Sequence, residues 1–280
     1  MTTWRFIHSG NNSPAKNMAV DEAILTAVSE GLVPPTVRFY GWDPATLSIG
    51  YFQKAELEVD FDEVARQGVG FVRRATGGRA VLHDRELTYS IIVSEEYPGM
   101  PRTVNEAYRV LSEGLVLGFR KLGLSAEMVS LASEEEKEKY STVGSAACFD
   151  SPSWYELVVE GRKVAGSAQT RQKGVVLQHG SILLELDTEQ LFSLLRFSSE
   201  RIKQRMMESF ARKAVAIGDV CRDVGLPPVT LEQAERAFRA GIAEGLGVTL
   251  EDGELTPYER ELSERLALER YGHDEWNLKR

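Results

Sequence analysis

The chain has 280 residues, and its 33 Lys and Arg residues against 42 Asp and Glu residues give it a formal net charge of −9. An apolar share of 42% and a charged share of 27% are typical of a globular protein with one large domain or two smaller ones. The acidic balance argues against broad nucleic-acid binding, which needs a basic surface to replace phosphate counterions. The two cysteines, Cys148 and Cys221, exclude a disulfide framework and multi-cysteine metal sites.

No apolar run approaches the roughly 20 residues that a membrane helix needs, and the first residues have no apolar core resembling a signal peptide. The sequence therefore predicts a cytoplasmic protein with reduced thiols and without a membrane partner. The four histidines are scattered along the chain, so no metal site is predicted. No cofactor is predicted either, because the chain lacks a phosphate-loop motif and a dinucleotide-binding fingerprint.

The first half of the chain combines strand-like runs with helices. A helix is predicted from Ser13-Pro14 to about Glu30, because serine caps a helix and proline favours its first turn. Apolar residues at near-helical spacing predict another over Val104–Leu122, and Phe61–Gln67 forms a short one. Strands are predicted over Thr3–His8, Val37–Trp42, Thr46–Phe52, Gly70–Ala75, Ala80–His83 and Leu87–Ser94.

In the second half, a charged run at Ser133–Tyr140 is typical of a solvated surface segment. Strands follow over Trp154–Val159, Lys163–Thr170 and Val175–Leu186, with a tight turn at Glu160-Gly161. From Asp187 onward the pattern predicts helices near 188–196, 201–224, 230–245 and 256–271. Strands before residue 187 and helices after it predict an α+β fold.

The segment Arg73–Asp84 is the first candidate binding site. Its three arginines, Arg73, Arg74 and Arg79, surround the glycine pair Gly77-Gly78. Glycine lets the main chain approach a ligand closely, and its N–H groups can face an anion or a carbonyl. A plain hairpin turn would account for the glycines but not for three arginines within seven residues.

The segment Gly161–Gln169 is the second candidate. Small residues from Ala165 to Ala168 would expose main chain along a strand edge or groove, and Lys163 is either a functional residue or a solvent-facing strand lysine. His179 and Gly180 add polar character to an otherwise apolar strand, where a buried, hydrogen-bonded histidine is the alternative interpretation.

The two cysteines differ in their surroundings. Cys221 shares a helical stripe with Ile217, Val220 and Val224, which predicts a buried position. Cys148 lies among small residues and turn formers, which favours a nucleophilic thiol. Such a thiol needs a base or a cation to hold it as thiolate, and a hairpin could bring Lys163 towards it.

Together these stretches resemble the lipoate–protein ligase A and octanoyltransferase superfamily. Arg73–Asp84 is similar to its lipoate-pocket motif, and Gly161–Gln169 with His179–Leu183 is similar to its second signature. The resemblance covers most of residues 1–250 and implies a mixed-sheet, biotin/lipoate-ligase-like catalytic domain, followed by a helical C-terminal extension at 251–280. The substrate-binding residues that it implies are Arg73, Gly77, Gly78, Arg79, His83, Gly166, Ser167, Ala168, His179 and Gly180.

The segment around Cys148 is similar to the cysteine-dependent octanoyltransferases of this superfamily. That resemblance implies Cys148 as the acyl-thioester nucleophile and Lys163 as the residue that lowers its pKa. It further implies octanoyl-acyl carrier protein as donor and a lysine of a lipoyl domain, such as glycine cleavage H protein, as acceptor. The alternatives are an ATP-dependent lipoate–protein ligase, an octanoyl amidotransferase acting between lipoyl domains, a non-catalytic binding module and a cysteine hydrolase.

The chemistry sets two further expectations. An octanoyl chain needs an apolar slot, for which Val81, Tyr89, Ile91 and Ala165–Ala168 are candidates, and N–H groups near Gly77-Gly78 would stabilise an oxyanion. Acidic protein partners require local positive charge on this acidic chain. Two sets of residues are candidates for that charge: Arg73, Arg74 and Arg79, or the helical run of Arg201, Lys203, Arg205, Arg212 and Lys213, which is also compatible with an ordinary solvated helix face.

Overall fold

The computed structural model describes residues 2–130 and 155–279. Its main sheet has six strands in the order β10-β11-β6-β2-β1-β12. Their bounds are β1 Thr2–Asn12, β2 Thr36–Trp42, β6 Glu86–Ser94, β10 Ala165–Gln172, β11 Val175–Leu183 and β12 Val248–Asp252. Strand β1 is parallel to both of its neighbours, whereas β2, β6, β11 and β10 are antiparallel in turn, so the sheet is mixed as predicted.

Two three-stranded sheets flank the main one, with the orders β4-β3-β5 and β7-β8-β9. Their strands are β3 Thr46–Ile49, β4 Gly70–Arg73, β5 Val81–His83, β7 Ala126–Ser130, β8 Tyr155–Val159 and β9 Arg162–Lys163. The turn between β8 and β9 has positive φ at Glu160 (50°) and at Gly161 (71°). Two successive positive φ values match the twist of a tight hairpin, so the predicted turn is confirmed.

Most helices of the described residues begin and end within a few residues of the predicted bounds, but the two short ones at 55–58 and 274–277 were not predicted. In chain order the helices are α1 Pro14–Ser29, α2 Ala55–Glu58, α3 Phe61–Arg66, α4 Val104–Lys121, α5 Thr188–Ser193, α6 Glu200–Lys213, α7 Ile217–Val224, α8 Leu231–Leu246, α9 Pro257–Leu266 and α10 Asp274–Asn277, with a π-helical turn at Ala267–Tyr271 between the last two. None of the described helices has the length and apolar character needed to cross a bilayer. The helices and the mixed sheet confirm the α+β class.

The predicted helix at 201–224 is wrong, because the structure divides it into α6 and α7. The chain between them is extended: Ala214 forms a parallel bridge with Lys163, and the N–H of Val215 donates to the Lys163 carbonyl at 2.9 Å. The main-chain pairing of Ala214 with Lys163, 51 positions earlier in the chain, therefore overrides the local helical pattern.

The C-terminal residues pack into the same body as the rest of the chain. Strand β12 pairs with β1 from Thr2 opposite Val248 onward, so the boundary predicted at residue 250 lies inside a strand of the main sheet. Beyond it, the Glu259 carboxylate forms a buried ion pair with Arg5, and the Tyr271 hydroxyl donates to Glu22 at 2.6 Å. These contacts tie residues 251–279 to β1 and α1.

The largest core lies between one face of the main sheet and the helices α4 and α8. Glycines allow these two helices to approach closely: a Cβ at Gly118 would lie 2.3 Å from the Phe238 ring, and one at Gly241 would lie 2.4 Å from the Gly118 nitrogen. The opposite face of the sheet is covered by α1, whose Ile24 and Leu25 belong to a separate apolar cluster.

We expect Gly241→Ala to lower the free energy of unfolding by about 1–3 kcal/mol, because the added methyl forces α4 and α8 apart. The gain in helix propensity, about 1 kcal/mol, does not offset this clash. Denaturant unfolding followed by circular dichroism measures the change. Ala240→Ser, at an exposed position of the same helix, is the control and should change stability by only about 0.5 kcal/mol; equal effects of the two substitutions would contradict close packing.

Candidate active site

A narrow cavity opens on the edge of the main sheet, between β10 and the loop that follows β4. Its wall is contributed by α1, the strands β2, β5, β6, β10 and β11, and that loop. The lining residues are Met18, Tyr40, Trp42, Arg74, Val81, His83, Thr88, Gly166, Ser167, Ala168, His179, Gly180 and Ser181.

The pairing of β10 with β11 brings the two predicted signatures together. Ser167 lies opposite Gly180, and Ala168 lies opposite His179. A Cβ at Gly180 would lie 2.4 Å from the Gly166 carbonyl oxygen and 2.8 Å from Ser167 Oγ. Glycine at this position therefore leaves the wall of the cavity open where a larger residue would collide with β10.

His179 is one of two cavity histidines fixed by hydrogen bonds on both ring nitrogens. Its Nδ1 lies 3.3 Å from Asp21 Oδ2, and its Nε2 lies 2.7 Å from Thr76 Oγ1. Burial lowers the pKa of His179 below its ordinary value, although the Asp21 carboxylate opposes this effect. The neutral ring then donates from Nδ1 to Asp21 and accepts the Thr76 hydroxyl proton at Nε2.

Asp21 is the centre of the buried polar network behind His179. Burial raises the pKa of Asp21, but the charge of Arg38 and the hydrogen bond from His179 outweigh this effect, so the pKa lies below its ordinary value. The Arg38 guanidinium is completely buried and approaches Asp21 Oδ1 to 2.7 Å. Ser90 and Tyr40 donate to the same carboxylate, so every buried charge in this network has a partner.

His83 is the second fixed histidine. Its Nδ1 lies 2.7 Å from Glu86 Oε1, and its Nε2 lies 2.6 Å from Ser48 Oγ. The Trp42 indole stacks on this imidazole with a centroid distance of 4.3 Å, and its N–H donates to Thr88 at 2.8 Å. These contacts hold a flat aromatic wall at the β2 side of the cavity.

Arg74 fixes the glycine loop. Its guanidinium donates to Ser48 Oγ at 2.6 Å and to the carbonyls of Gly77 and Arg79 at 3.1 and 2.9 Å. Gly78 has φ +95°, and a Cβ on it would lie 3.9 Å from the Ala168 side chain. The loop Gly77–Arg79 therefore borders the cavity beside β10, held by an arginine that itself lines the cavity.

Arg73, by contrast, does not reach the cavity. It is completely buried, and its guanidinium donates to main-chain carbonyls in two segments, the turn 50–53 and the C-terminal residues 276–279. The acceptors are the carbonyl oxygens of Gly50, Tyr51, Gln53, Trp276, Asn277 and Lys279. Arg73 thus joins the C-terminal segment to the turn that packs against the glycine loop.

The prediction that Arg73 and Arg74 form a surface for acidic partners is wrong. Arg73 has no exposed surface, and Arg74 is 5% exposed. Both guanidinium groups are buried and donate hydrogen bonds to internal carbonyl and hydroxyl groups, so a protein partner cannot reach them.

The predicted catalytic pair falls partly outside the described residues. Cys148 lies outside residues 2–130 and 155–279. Lys163 ends β9, two residues before β10 begins, and its Nζ lies 2.8 Å from Glu156 Oε2. Its side chain is 12% exposed, and it does not line the cavity. Cys221 is buried in α7 as predicted, and burial raises the pKa of its thiol.

The structure gathers most of the predicted binding residues at the cavity. Those that line it are His83, Gly166, Ser167, Ala168, His179 and Gly180. Gly77, Gly78 and Arg79 lie in the adjoining loop, and Arg73 lies apart from it. The predicted wall residue Val81 is present, but Tyr89 and Ile91 belong to the core under α4, because alternate residues of β6 face opposite sides of the sheet.

Sequence reasoning missed Tyr40, Trp42 and Thr88 in the wall, and Asp21 with Arg38 behind it. Asp21 and Arg38 could have been found, because each is a charged residue within an otherwise apolar element. Such residues are rarely buried without a partner of opposite charge. Within the described residues, no cluster of three or more His, Cys, Asp or Glu side chains is arranged to hold a metal ion.

The comparisons with known proteins point to one family. The lipoyl protein ligase A/B catalytic domain matches residues 13–243. The protein named octanoyltransferase LipM in Brevibacillus brevis is 65% identical over 280 residues, covering 100% of both chains. Its Bacillus subtilis namesake is 58% identical over 278 residues, covering 99% of both.

Two solved structures have the same fold over the full length. A bipartite lipoate protein ligase from Thermoplasma acidophilum has a TM-score of 0.81 at 26% identity, covering 100% of this chain and 98% of that one. A lipoate–protein ligase A bound with ATP has a TM-score of 0.77 at 25% identity, covering 99% of both.

The chain therefore belongs to the lipoyl protein ligase A/B catalytic-domain family, as the two motifs predicted. The enzyme class predicted from the sequence, an acyltransferase, is confirmed by its full-length relatives.

His179 makes the stability of the fold depend on pH. Its lowered pKa means that the unfolded chain binds a proton below about pH 6.5 that the folded chain does not bind, so unfolding becomes easier as the pH falls. We expect His179→Gln to reduce this slope below about pH 6.5, by at most about 1.4 kcal/mol per pH unit, the value for one proton. Urea unfolding at a series of pH values measures both slopes; identical slopes in the two proteins would contradict the assignment.

Proposed function

We propose that the chain is an octanoyltransferase that moves an octanoyl group from octanoyl-acyl carrier protein to a lysine of a lipoyl domain, such as glycine cleavage H protein. The observation that carries the proposal is the cavity itself, which is walled by both motif segments and whose β10 edge lies just after Lys163. The names of the full-length relatives, octanoyltransferase LipM, support the choice of acyl group.

The acyl chain is proposed to lie across the strands, with its carbonyl at the β10 edge and its methyl end towards Trp42. From β10 to β2 the cavity crosses three strand spacings, about 14 Å at 4.8 Å each, which is room for an eight-carbon chain. Burial of the chain contributes about 0.8 kcal/mol per methylene. The carbonyl end then lies at β10, the strand of the cavity wall that begins two residues after Lys163.

The first step is a thioester exchange, in which the octanoyl group passes from the carrier thiol to Cys148. The Cys148 thiolate attacks the donor thioester carbonyl, the carrier thiolate leaves and takes up a proton, and an octanoyl thioester remains on the enzyme. Main-chain N–H groups near Gly77-Gly78 are proposed to face the oxyanion, at the border of the cavity beside Ala168.

The second step forms the product. The neutral amine of the acceptor lysine attacks the enzyme thioester, the Cys148 sulfur leaves, and a stable amide results. Because a thioester is exchanged for an amide, the step runs downhill and needs no nucleotide.

Lys163 is proposed to serve both steps. As an ammonium it favours the thiolate form of a nearby Cys148 thiol, whose ordinary pKa of about 8.5 leaves only a few per cent ionised at pH 7. Its ion pair with Glu156 orients the ammonium. In the first step the Lys163 ammonium gives a proton to the leaving carrier thiolate, and the resulting neutral amine accepts a proton from the attacking acceptor amine in the second step, as Cys148 leaves as thiolate.

We expect Cys148→Ser to abolish formation of the octanoyl-enzyme, because a serine hydroxyl has no comparable anionic form at neutral pH. Intact-mass spectrometry after incubation with octanoyl-acyl carrier protein, without ATP, measures the adduct. Cys221→Ser is the matched control and should retain the full mass shift, since this thiol is buried in α7.

An adduct of unchanged yield in Cys148→Ser would refute the nucleophile assignment. The ATP-bound ligase of the same fold makes an ATP-dependent ligase the second candidate. Product that forms only from free octanoate or lipoate with ATP, and not from the carrier thioester, would establish this alternative and refute the transferase.

Lys163→Met should raise the pKa of the Cys148 thiol and slow acyl-enzyme formation at pH 7 at least about tenfold. The rate of iodoacetamide alkylation as a function of pH, measured in a Cys221→Ser background, gives the midpoint directly. Lys163→Arg should keep the midpoint low but impair transfer to the acceptor, because guanidinium stays charged and cannot take a proton. An unchanged midpoint in Lys163→Met, matching that of the exposed control Lys54→Met, would contradict this role.

A further inference from the structure

Helix α6 carries a basic face on an acidic protein. Between Glu200 and Lys213 it has five basic residues and two acidic ones, whereas the whole chain has a net charge of −9. Arg201, Arg205 and Arg212 are all exposed. Their spacing of four and seven residues places them on one side of the helix. We call these three residues the arginine face of α6.

The arginine face differs from the other arginines already described. Arg38, Arg73 and Arg74 are buried and satisfied by internal acceptors. Among the residues that the structure describes, no carboxylate lies within ion-pair distance of Arg201, Arg205 or Arg212. Glu208 lies on the same side of the helix and accepts a hydrogen bond from Gln204 at 3.3 Å. The face therefore presents net positive charge to solvent.

The C-terminal end of α6, which carries the arginine face, lies next to Lys163 of the candidate active site. Helix α6 ends at Lys213, and the next residue, Ala214, forms a parallel bridge with Lys163. The N–H of Val215 donates to the Lys163 carbonyl at 2.9 Å. Arg201 lies eleven residues before Arg212, about 16 Å along the helix. A partner bound along α6 would thus extend from the proposed catalytic lysine to the far end of the helix.

We propose that the arginine face of α6 is the docking surface for the acidic carrier protein that delivers the acyl thioester. The inference rests on the proposed function. Complementary charge speeds encounter and orients the partner on an enzyme whose overall charge would repel it. Ile202, which is 42% exposed beside Arg201, adds an apolar contact to the surface.

The reach of the two substrates favours the donor over the acceptor as occupant. The acyl group of a carrier protein is attached to a long pantetheine arm, so the carrier can dock along α6 while the thioester enters the cavity. The acceptor lysine has only a four-carbon side chain. The lipoyl domain must therefore bind directly over the thioester, whereas the carrier protein can dock at a distance from it, along α6.

The double variant Arg201→Glu/Arg205→Glu tests the proposal at the end of the helix that is remote from Lys163. We expect kcat/KM for octanoyl-acyl carrier protein to fall at least tenfold through a higher KM. With octanoyl-pantetheine, a donor without the carrier protein, kcat/KM should stay within twofold of wild type. Arg236→Glu/Arg265→Glu, at exposed positions of α8 and α9, changes the net charge equally and should behave as wild type.

Binding of unacylated carrier protein, followed by fluorescence anisotropy at several salt concentrations, gives a readout that does not depend on turnover. The Kd should rise with salt in wild type and be weaker and less salt-dependent in the α6 variant. Equal kcat/KM values for the carrier donor, an equal loss with octanoyl-pantetheine, or a loss confined to the acceptor KM would each overturn the proposal. Wild-type enzyme that does not use octanoyl-acyl carrier protein at all would refute the proposed function instead.

Discussion

The buried ion pair between Arg38 and Asp21 is the interaction on which the cavity depends. Arg38 is completely enclosed in β2, and Asp21 is completely surrounded in α1. Removing one partner of such a pair typically costs about 3–5 kcal/mol, because it leaves an unpaired charge in the interior. The same carboxylate accepts hydrogen bonds from Ser90 and His179. One buried charge pair thus connects α1, β2, β6 and β11 around the cavity.

This arrangement explains how the titratable side chain of His179 can form part of the cavity wall in its neutral form. A free imidazole at the cavity would titrate near pH 6.5 and present a variable charge to an acyl chain. His179 is instead held neutral between Asp21 and Thr76. Hydrogen bonds to Glu86 and Ser48 likewise occupy both ring nitrogens of His83. The ring nitrogens of both cavity histidines therefore have partners within the protein, as the wall around the proposed acyl chain requires.

Most of the secondary structure and much of the cavity could be predicted from the sequence, because they depend on local patterns. Short runs rich in apolar and β-branched residues predict β6 and β11, and the two motifs contain nine of the residues that line the cavity. The role of Arg73 could not be predicted in this way. Its partners at Trp276 and Asn277 lie more than 200 residues further along the chain. They are main-chain carbonyls, which every residue has, so the sequence does not show which residues will accept these hydrogen bonds.

The errors in the helical region have the same origin. The break between α6 and α7 arises from main-chain pairing of Ala214 with Lys163, and β12 exists because it adds to the edge of the sheet at β1. The periodicity of residues 201–224 does not show the break at Ala214, and no element was predicted at Val248–Asp252. Non-local main-chain contacts decide both segments, so a helix assignment based on periodicity fails at Ala214.

The distribution of charge links the fold to the way the enzyme meets its partners. Arginines placed within the lipoate-pocket motif were natural candidates for a docking surface, but the fold uses Arg73 and Arg74 to satisfy interior carbonyls. An acidic protein with the proposed acidic partners therefore needs another positive surface close to Lys163. Helix α6 meets both conditions, because its exposed arginines are unpaired within the described residues and its C-terminal end joins the strand of Lys163. The bridge between Ala214 and Lys163 thus interrupts a long helix at the position where the arginine face comes next to the lysine that we propose for the reaction.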